Sequence, residues 1–545
     1  MSENEPDRPD RRHDRRGGGR PERRERPGTG RVGYGGQARR TDPGKRSSQR
    51  PSERRRHADP ARSVAYETLR AVSDGAYANL ELPGRLRRAH LGGRDAAFAT
   101  ELVYGVTRMR GFYDAVLARC SDRAPVDMDP PVLDVLRLGV HQLLGMRVPA
   151  HAAVDATVGL TRGEIGAGAA SFVNAVLRRV SETPAEDWMG LVAPGAGRRA
   201  EGTDDGAFEA PTSLEDVGVA HSHPGWIVRA LRAALLAHGA STPETVDADL
   251  LDLLHAHNVP ADVTLIARPG LLEVEDLLEA GASPGTLSPY AAILTEGGDP
   301  GGFPAVRDGR AAVQDEGSQV LVLALVEAYD RLVAPGASEP RWLDLCAGPG
   351  GKAGLLAALS IPRGATLFAN ETSEHRAELV ESAVGAAMDA GAEVFVGVGD
   401  GRRIGAEEPN SFDLVLIDAP CTGLGALRRR PDARWRRTPA DVGDLTALQE
   451  DLLSSGLDAL RPGGVLGYAT CSPHEAETIQ VVNRVTRGRA DVELLDAGRL
   501  LDSISRSGHV TAGRGSFVQL WPHVEGTDAM FFAVMRRREA PAGDL

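Results

Sequence analysis

From residue 61 to about 182, apolar side chains recur three and four positions apart, as in Val132, Leu133, Leu136, Val140, Leu143 and Leu144 and again in Phe172, Val173, Val176, Leu177 and Val180. That spacing lays one apolar stripe along each helix, so 61–182 reads as an all-helical module. Residues 183–212 interrupt the pattern with a mostly small, polar and glycine-rich stretch, which predicts a flexible linker. Between 213 and 310, helical runs from Trp226 to His238 and Thr245 to Asn258 precede a strand-like Val263-Thr264-Leu265-Ile266-Ala267 and a helix near Val274 to Ala280. This is the pattern of a small α+β module. From 311 to 538, strand-like and helical runs alternate: the strands are Trp342 to Cys346, Ala365 to Asn370, Glu393 to Gly399, Phe412 to Ile417 and Gly464 to Thr470. A pair near Phe517 to Trp521 and Met530 to Met535 closes the series. Such alternation predicts a parallel sheet covered on both faces, with an antiparallel element at its C-terminal edge.

The length of 545 residues suits about three or four domains, and 41% hydrophobic content suffices for ordinary cores. No apolar run approaches the roughly 20 residues of a membrane span, and the N-terminus lacks the apolar stretch of a secretory signal. A cytoplasmic protein with no membrane partner is expected. Residues 1–60 carry 18 Lys and Arg against 10 Asp and Glu, while the rest of the chain carries 45 against 66. This Arg- and Gly-rich tail is too poor in apolar residues to fold and reads as disordered, and 539–545 form a short C-terminal tail. It suits either a nonspecific hold on RNA phosphate or a solubilising leader. Four scattered cysteines, without paired spacing or a histidine cluster, point to free thiols and no metal site.

Candidate chemistry begins with the glycine loop Leu343-Asp344-Leu345-Cys346-Ala347-Gly348-Pro349-Gly350-Gly351-Lys352, where an apolar strand turns into a helix. Glycines there let backbone approach a ligand. Glu371 follows the second strand, where a carboxylate can hold a ribose diol, and Asp400 follows the third, placed for an adenine edge. An acidic residue at each of three successive strand ends, with no open GxGxxG, favours S-adenosylmethionine over a dinucleotide. Lys352 is one of only two lysines, the other being Lys45. Where arginine is the rule, a compact ammonium beside a glycine loop fits close approach to ligand or catalytic groups.

Asp418-Ala419-Pro420-Cys421 follows the fourth strand and Ala469-Thr470-Cys471-Ser472 ends the fifth. Ligands in open α/β sheets sit at the carboxyl ends of strands, so both thiols belong beside the cofactor's methyl group. The chemistry that needs a thiolate there is alkylation of a pyrimidine at carbon 5. A thiolate adds to carbon 6 and makes carbon 5 nucleophilic, a carboxylic acid stabilises the adduct through a ring nitrogen, and a second cysteine can help end the covalent state.

At these residues the chain resembles the RNA cytosine-C5 methyltransferases, specifically the bacterial ribosomal RNA group of the Sun, Fmu or RsmB type. The likeness rests on DLCAGPGGK at 344–352, DAPC at 418–421 and ATCS at 469–472, and covers roughly 61–537. It implies a Rossmann-like catalytic domain preceded by a NusB-like all-helical RNA-binding domain at 61–182 and a small RNA-recognition-like subdomain at 213–310. It also implies that Cys471 is the nucleophile, Cys421 assists product release, Asp418 contacts the cytosine ring and Lys352 borders the site. The implied cofactor set is Asp344, Cys346, Ala347, Gly348, Pro349, Gly350, Gly351, Lys352, Glu371, Arg376, Asp400 and Asp418. Arg428, Arg429, Arg430 and Arg434, in the most basic stretch of the folded body, are expected on the RNA path.

The function expected is 5-methylcytosine formation in 16S ribosomal RNA by a monomer. The same chemistry on another ribosomal or transfer RNA cytosine, or a non-catalytic RNA-binding assembly factor, are the alternatives.

Overall fold

The computed structural model describes residues 59–199, 208–295, 298–334, 337–508 and 515–539. The expected N-terminal tail up to residue 58, the middle of the linker (200–207) and the C-terminal tail from 540 lie outside them.

The N-terminal module is helical as its periodicity predicts. It runs through Pro60–Ser73, Ala78–Arg88, Gly93–Arg108, Arg110–Cys120, Pro130–Leu144, Ala150–Glu164 and Ala167–Ser181. The first helix starts where the Asp59 carboxylate accepts the Ala61 N–H and Pro60 supplies a preset φ. Leu102, Val116, Leu136, Leu177 and Val180 form the centre of its core. Part of the expected linker is structured. Trp188, in the helix Trp188–Val192, is buried in that same core, and β1 (Arg198–Arg199) pairs with β2 (Phe208–Glu209). One large apolar residue anchors a stretch whose average composition is small and polar.

The next module contains helices Leu214–Ala220, Gly225–Ala237 and Val246–Asn258, followed by an antiparallel sheet of order β4-β5-β3-β6. Its strands are β3 (Val263–Ala267), β4 (Ser283–Pro284), β5 (Ala291–Leu294) and β6 (Ala311–Val313). Only β3 is legible in the sequence. β6 pairs with β3 although it lies beyond residue 310.

The catalytic sheet contains β7 (Arg341–Asp344), β8 (Thr366–Glu371), β9 (Glu393–Val398), β10 (Phe412–Asp418), β11 (Leu460–Thr470), β12 (Val492–Leu494), β13 (Phe517–Gln519) and β14 (Phe531–Arg537). Its order is β12-β14-β11-β10-β7-β8-β9, with β13 also on β14. β9, β8, β7, β10 and β11 run parallel, and β14 lies antiparallel to β11, as expected. Both faces of β10 are buried: Leu414 and Leu416 pack into one apolar cluster, Val415 and Ile417 into another. That explains its unbroken apolar run. Strand order reverses between β7 and β10, which opens a crevice at their carboxyl ends. The residues Asp344, Asp418 and Cys471 stand at or just beyond the ends of β7, β10 and β11.

Among the described residues no helix is long and apolar enough to cross a membrane, and no group of three or more His, Cys, Asp or Glu could hold a metal ion.

Candidate active site

Parallel neighbours bring the two cysteine segments together. β10 and β11 pair from Leu414 with Val465 to Asp418 with Ala469, so the chain leaves both strands at the same level. Beyond them the Cys421 and Cys471 sulfurs approach to 3.4 Å. The Gly425 N–H donates to the Cys471 carbonyl at 2.9 Å, and the Gly425 carbonyl accepts the Ala529 N–H at 2.9 Å. A Cβ on Gly425 would drive into that Ala529 carbonyl, so this close passage requires glycine.

Two thiols in contact cannot both ionise. The hydrogen bond from Cys421 holds the Cys471 thiol below its ordinary value, with the Lys352 ammonium adding to the effect against burial and Asp418. The same bond, followed by burial, pushes Cys421 well above its own. The pair is therefore asymmetric, with Cys471 the better thiolate and Cys421 the proton holder.

Lys352, near the start of the helix Gly351–Ser360, crosses the crevice to donate to Asp418 at 2.8 Å, with Ser318 Oγ at 3.4 Å. Burial pulls the ammonium down, but the charge and hydrogen bond of Asp418 outweigh it, leaving Lys352 above its ordinary value. A cation is thus fixed beside the thiols. Sequence reasoning placed Lys352 near the site but did not foresee this pairing.

On the cofactor side, Gly350 adopts φ +108°, and a Cβ there would sit 2.5 Å from the Ala383 methyl. Gly348 donates its N–H to Glu371 at 3.1 Å, and a Cβ at Gly348 would overlap the Glu371 carboxylate. Arg376 pairs with Glu371 at 3.3 Å. Pro349 and Ala347 complete the turn, and the Ala347 N–H donates to the Asn370 carbonyl of β8. Burial, then the charges of Asp344 and Asp418, keep the Cys346 thiol well above its ordinary value. Asp344 is fully buried, and no side chain hydrogen-bonds its carboxylate; the backbone N–H of Cys346 is the donor that faces it. Burial and then the negative charge of Asp418 push it up to about 7. A buried carboxylate with no side-chain partner at a glycine cradle suits an ammonium, such as that of a methionine moiety. The residues present therefore fit S-adenosylmethionine. Asp400 caps the turn Gly401–Arg403 and is held by Arg402 at 2.6 Å, so in this conformation its carboxylate is engaged beside the crevice rather than free.

Comparison with known proteins gives the chain's family. Residues 332–536 match the family model described as 16S rRNA methyltransferase RsmB/F, and residues 59–182 match the NusB family. The chain is 47% identical over 486 residues to Rv1407 of Mycobacterium tuberculosis, which carries a methyltransferase name, with 89% of this chain and 98% of that one covered. This chain belongs to the RsmB/F methyltransferase family. It is 28% identical over 485 residues to the ribosomal RNA small subunit methyltransferase B of Erwinia tasmaniensis, covering 87% of this chain and 97% of that one. The crystal structure of PH0851 shares its fold, with a TM-score of 0.68, 18% identity, and 90% of this chain and all of the other covered. The protein is therefore an RNA methyltransferase that uses S-adenosylmethionine, with a NusB-like helical region ahead of its α/β domain.

The arginine segment of this methyltransferase differs from its expected role. Arg434 is fully buried; it donates to the Arg108, Ser222 and His257 carbonyls and to Asn258 Oδ1 at 2.8–3.2 Å. A guanidinium so enclosed joins the helical region to the catalytic one and does not face RNA. Arg428 and Arg429 both pair with Asp315 and Asp528 at 2.7–3.1 Å. Only Arg430 of the four is exposed. The neighbouring Arg436 donates to the Gly75 and Ala76 carbonyls and lies over the Tyr77 ring. Sequence reasoning also missed Thr422, Ser472, Gln449 and Glu477, which surround the thiols. The available signal was a hydroxyl residue directly after each cysteine.

Proposed function

We propose that this protein forms 5-methylcytosine in 16S ribosomal RNA through a covalent bond between Cys471 and carbon 6 of the base. The observation that carries the proposal is the pair of thiols 3.4 Å apart at the crevice, one favoured as thiolate and the other as thiol. Bound against Asp344, Glu371 and the glycine loop, with Asp400 at its adenine end, S-adenosylmethionine supplies an electrophilic methyl group. The chain's own residues do the rest.

Cys471 adds to carbon 6 and makes carbon 5 nucleophilic. As the adduct forms, the ring nitrogen takes up a proton from solvent and donates it as N–H to Asp418, while Lys352 sets positive charge against the charge developing on the ring. Once Cys471 is bonded to carbon its charge is gone, and with it the main influence that keeps Cys421 protonated. Cys421 then gives its own proton to solvent and, as thiolate, takes the carbon-5 proton, and Cys471 leaves as thiolate. The target base must leave its stack to reach the sulfur, which favours a single-stranded or pre-assembly form of the RNA. Action on 16S RNA accords with the name of the small-subunit enzyme from Erwinia tasmaniensis, and a cytoplasmic protein is part of this reading.

Transfer of labelled methyl to protein-free 16S RNA from cells lacking this enzyme, followed by nucleoside analysis, tests the proposal. Label in 5-methylcytosine at one position supports it. Label confined to 23S or transfer RNA changes the target, and a methylated base other than 5-methylcytosine refutes the chemistry.

A further inference from the structure

Each of the two cysteines is followed by a hydroxyl residue, Thr422 after Cys421 and Ser472 after Cys471. In the fold both hydroxyls turn away from the crevice onto one carboxylate. Glu477 Oε2 accepts from Thr422 Oγ1 at 2.5 Å and from Ser472 Oγ at 2.6 Å. Its Oε1 accepts from the Thr422 N–H at 2.8 Å and from Gln449 Nε2 at 3.3 Å. Gln449 Nε2 also donates to the Pro420 carbonyl at 2.8 Å, so the residues on both sides of Cys421 are held. The Tyr468 hydroxyl of β11 fixes the Glu477 carbonyl at 2.9 Å. Thr422, Gln449, Ser472 and Glu477 are all fully buried. A buried carboxylate is tolerated when donors fill its lone pairs, and short bonds to an anion are stronger than neutral ones.

Adjacent strands lie about 4.8 Å apart, and the loops beyond them are free to diverge. Sulfurs at 3.4 Å therefore need something to draw the two loops together. The backbone bond from Gly425 to the Cys471 carbonyl is one tie; the other is the buried cluster in which Thr422 Oγ1 and Ser472 Oγ, 3.1 Å apart, share the Glu477 carboxylate.

We propose that Glu477 is a positioning residue that, through Thr422 and Ser472, fixes the separation of the Cys421 and Cys471 sulfurs and so keeps the two thiols in contact. Its consequence for turnover rests on the methyltransferase reading; its consequence for the thiols does not. Glu477 touches neither sulfur. Its removal acts by breaking the sulfur contact, after which Cys471 is left with Asp418, Lys352 and Arg430 as the charged groups facing it.

The test measures two properties of Glu477→Gln, Thr422→Val, Thr422→Ser and the unaltered protein. One is the pH profile of Cys471 alkylation by iodoacetamide, read by peptide mass spectrometry; the other is single-turnover methyl transfer to 16S RNA. In Glu477→Gln and Thr422→Val the alkylation midpoint moves up by about one pH unit, as expected when a thiol donor to a thiolate is lost. Methyl transfer falls about a hundred-fold at unchanged KM for RNA and cofactor, the cost of a misplacement of about 1 Å. Thr422→Ser, which keeps the hydroxyl, returns both to the unaltered values. Should Glu477→Gln not fold, the threonine pair decides. Alkylation profiles of Glu477→Gln and Thr422→Val that superimpose on that of the unaltered protein overturn the positioning role. An alkylation shift in a protein that transfers no methyl to any RNA upholds the positioning role and overturns the activity reading instead.

Discussion

The strand ends of the catalytic sheet and the arginine-rich segment 428–437 were both singled out by residue type, yet the fold treats them differently. Topology decides the first. Parallel strands in the order β9-β8-β7-β10-β11 bring Asp344, Asp418, Cys421 and Cys471 to one side of one crevice. Distant partners decide the second. Asp315, Asp528, Asn258 and the carbonyl of Arg108 lie 113, 100, 176 and 326 positions from the arginines they bind. A residue at a strand end keeps its meaning when the chain folds, whereas a charge run can be consumed by groups remote in sequence. The first region is organised for chemistry; four of the six arginines in the second, Arg428, Arg429, Arg434 and Arg436, hold parts of the molecule together.

The largest expected effect separates the two regions most sharply. Cys471→Ala should lower methyl transfer by at least about a thousand-fold, because the proposed mechanism has no other residue to form the bond to carbon 6. Thermal unfolding should be almost unchanged. Arg434→Ala should do the reverse: about 3 kcal/mol of stability lost, because several buried acceptors lose their donor, with little change in the salt dependence of RNA binding. A fall in that salt dependence with stability intact would return Arg434 to the RNA path.

Asp344→Asn should weaken S-adenosylmethionine binding about ten-fold at pH 8, the value of a charge-assisted hydrogen bond. In the unaltered protein, affinity should rise with pH through about 7 as Asp344 ionises, and the asparagine variant should lack that rise. The linked stability effect has the opposite sense. The folded carboxyl titrates near 7 against an ordinary value of 3.8, so its contribution is present below about pH 4 and is lost as pH rises through 7. Titrations by calorimetry and unfolding at several pH values check both signs. The smallest effect belongs to Arg430→Ala. RNA affinity should fall a few-fold and the salt slope by about 0.7, as for one phosphate contact on a single strand, with stability unaltered.

Legibility followed the same division. Periodicity located the N-terminal helices and β3, and apolar runs located β7 to β11, because buried elements must repeat at the period of their geometry. β11 begins at Leu460, four residues ahead of the expected start. Arg461-Pro462-Gly463-Gly464 reads as a turn, but Leu460 still pairs with Phe412 across an irregularity in the strand register. β4, β5 and β6 escaped because Ser283-Pro284, Ala291-Ala292-Ile293-Leu294 and Ala311-Ala312-Val313 are short and rich in alanine or turn-forming residues, which mark no strand. The structured part of the linker escaped because glycine content outweighed Trp188. At the active site, the motifs gave both thiols and the glycine loop. They did not give the opposed ionisation of the thiols, which depends on their distance, or the Glu477 carboxylate, which only the folded chain places against Thr422 and Ser472.

The central claim is that Cys471 forms the bond to RNA and Cys421 releases it. The most direct measurement mixes Cys421→Ala with 16S RNA and S-adenosylmethionine, resolves the products under denaturing conditions and maps any cross-linked peptide. The account predicts a stable protein–RNA complex joined through Cys471. A complex of the same stability formed by Cys471→Ala and joined through Cys421, with none from Cys421→Ala, would contradict it.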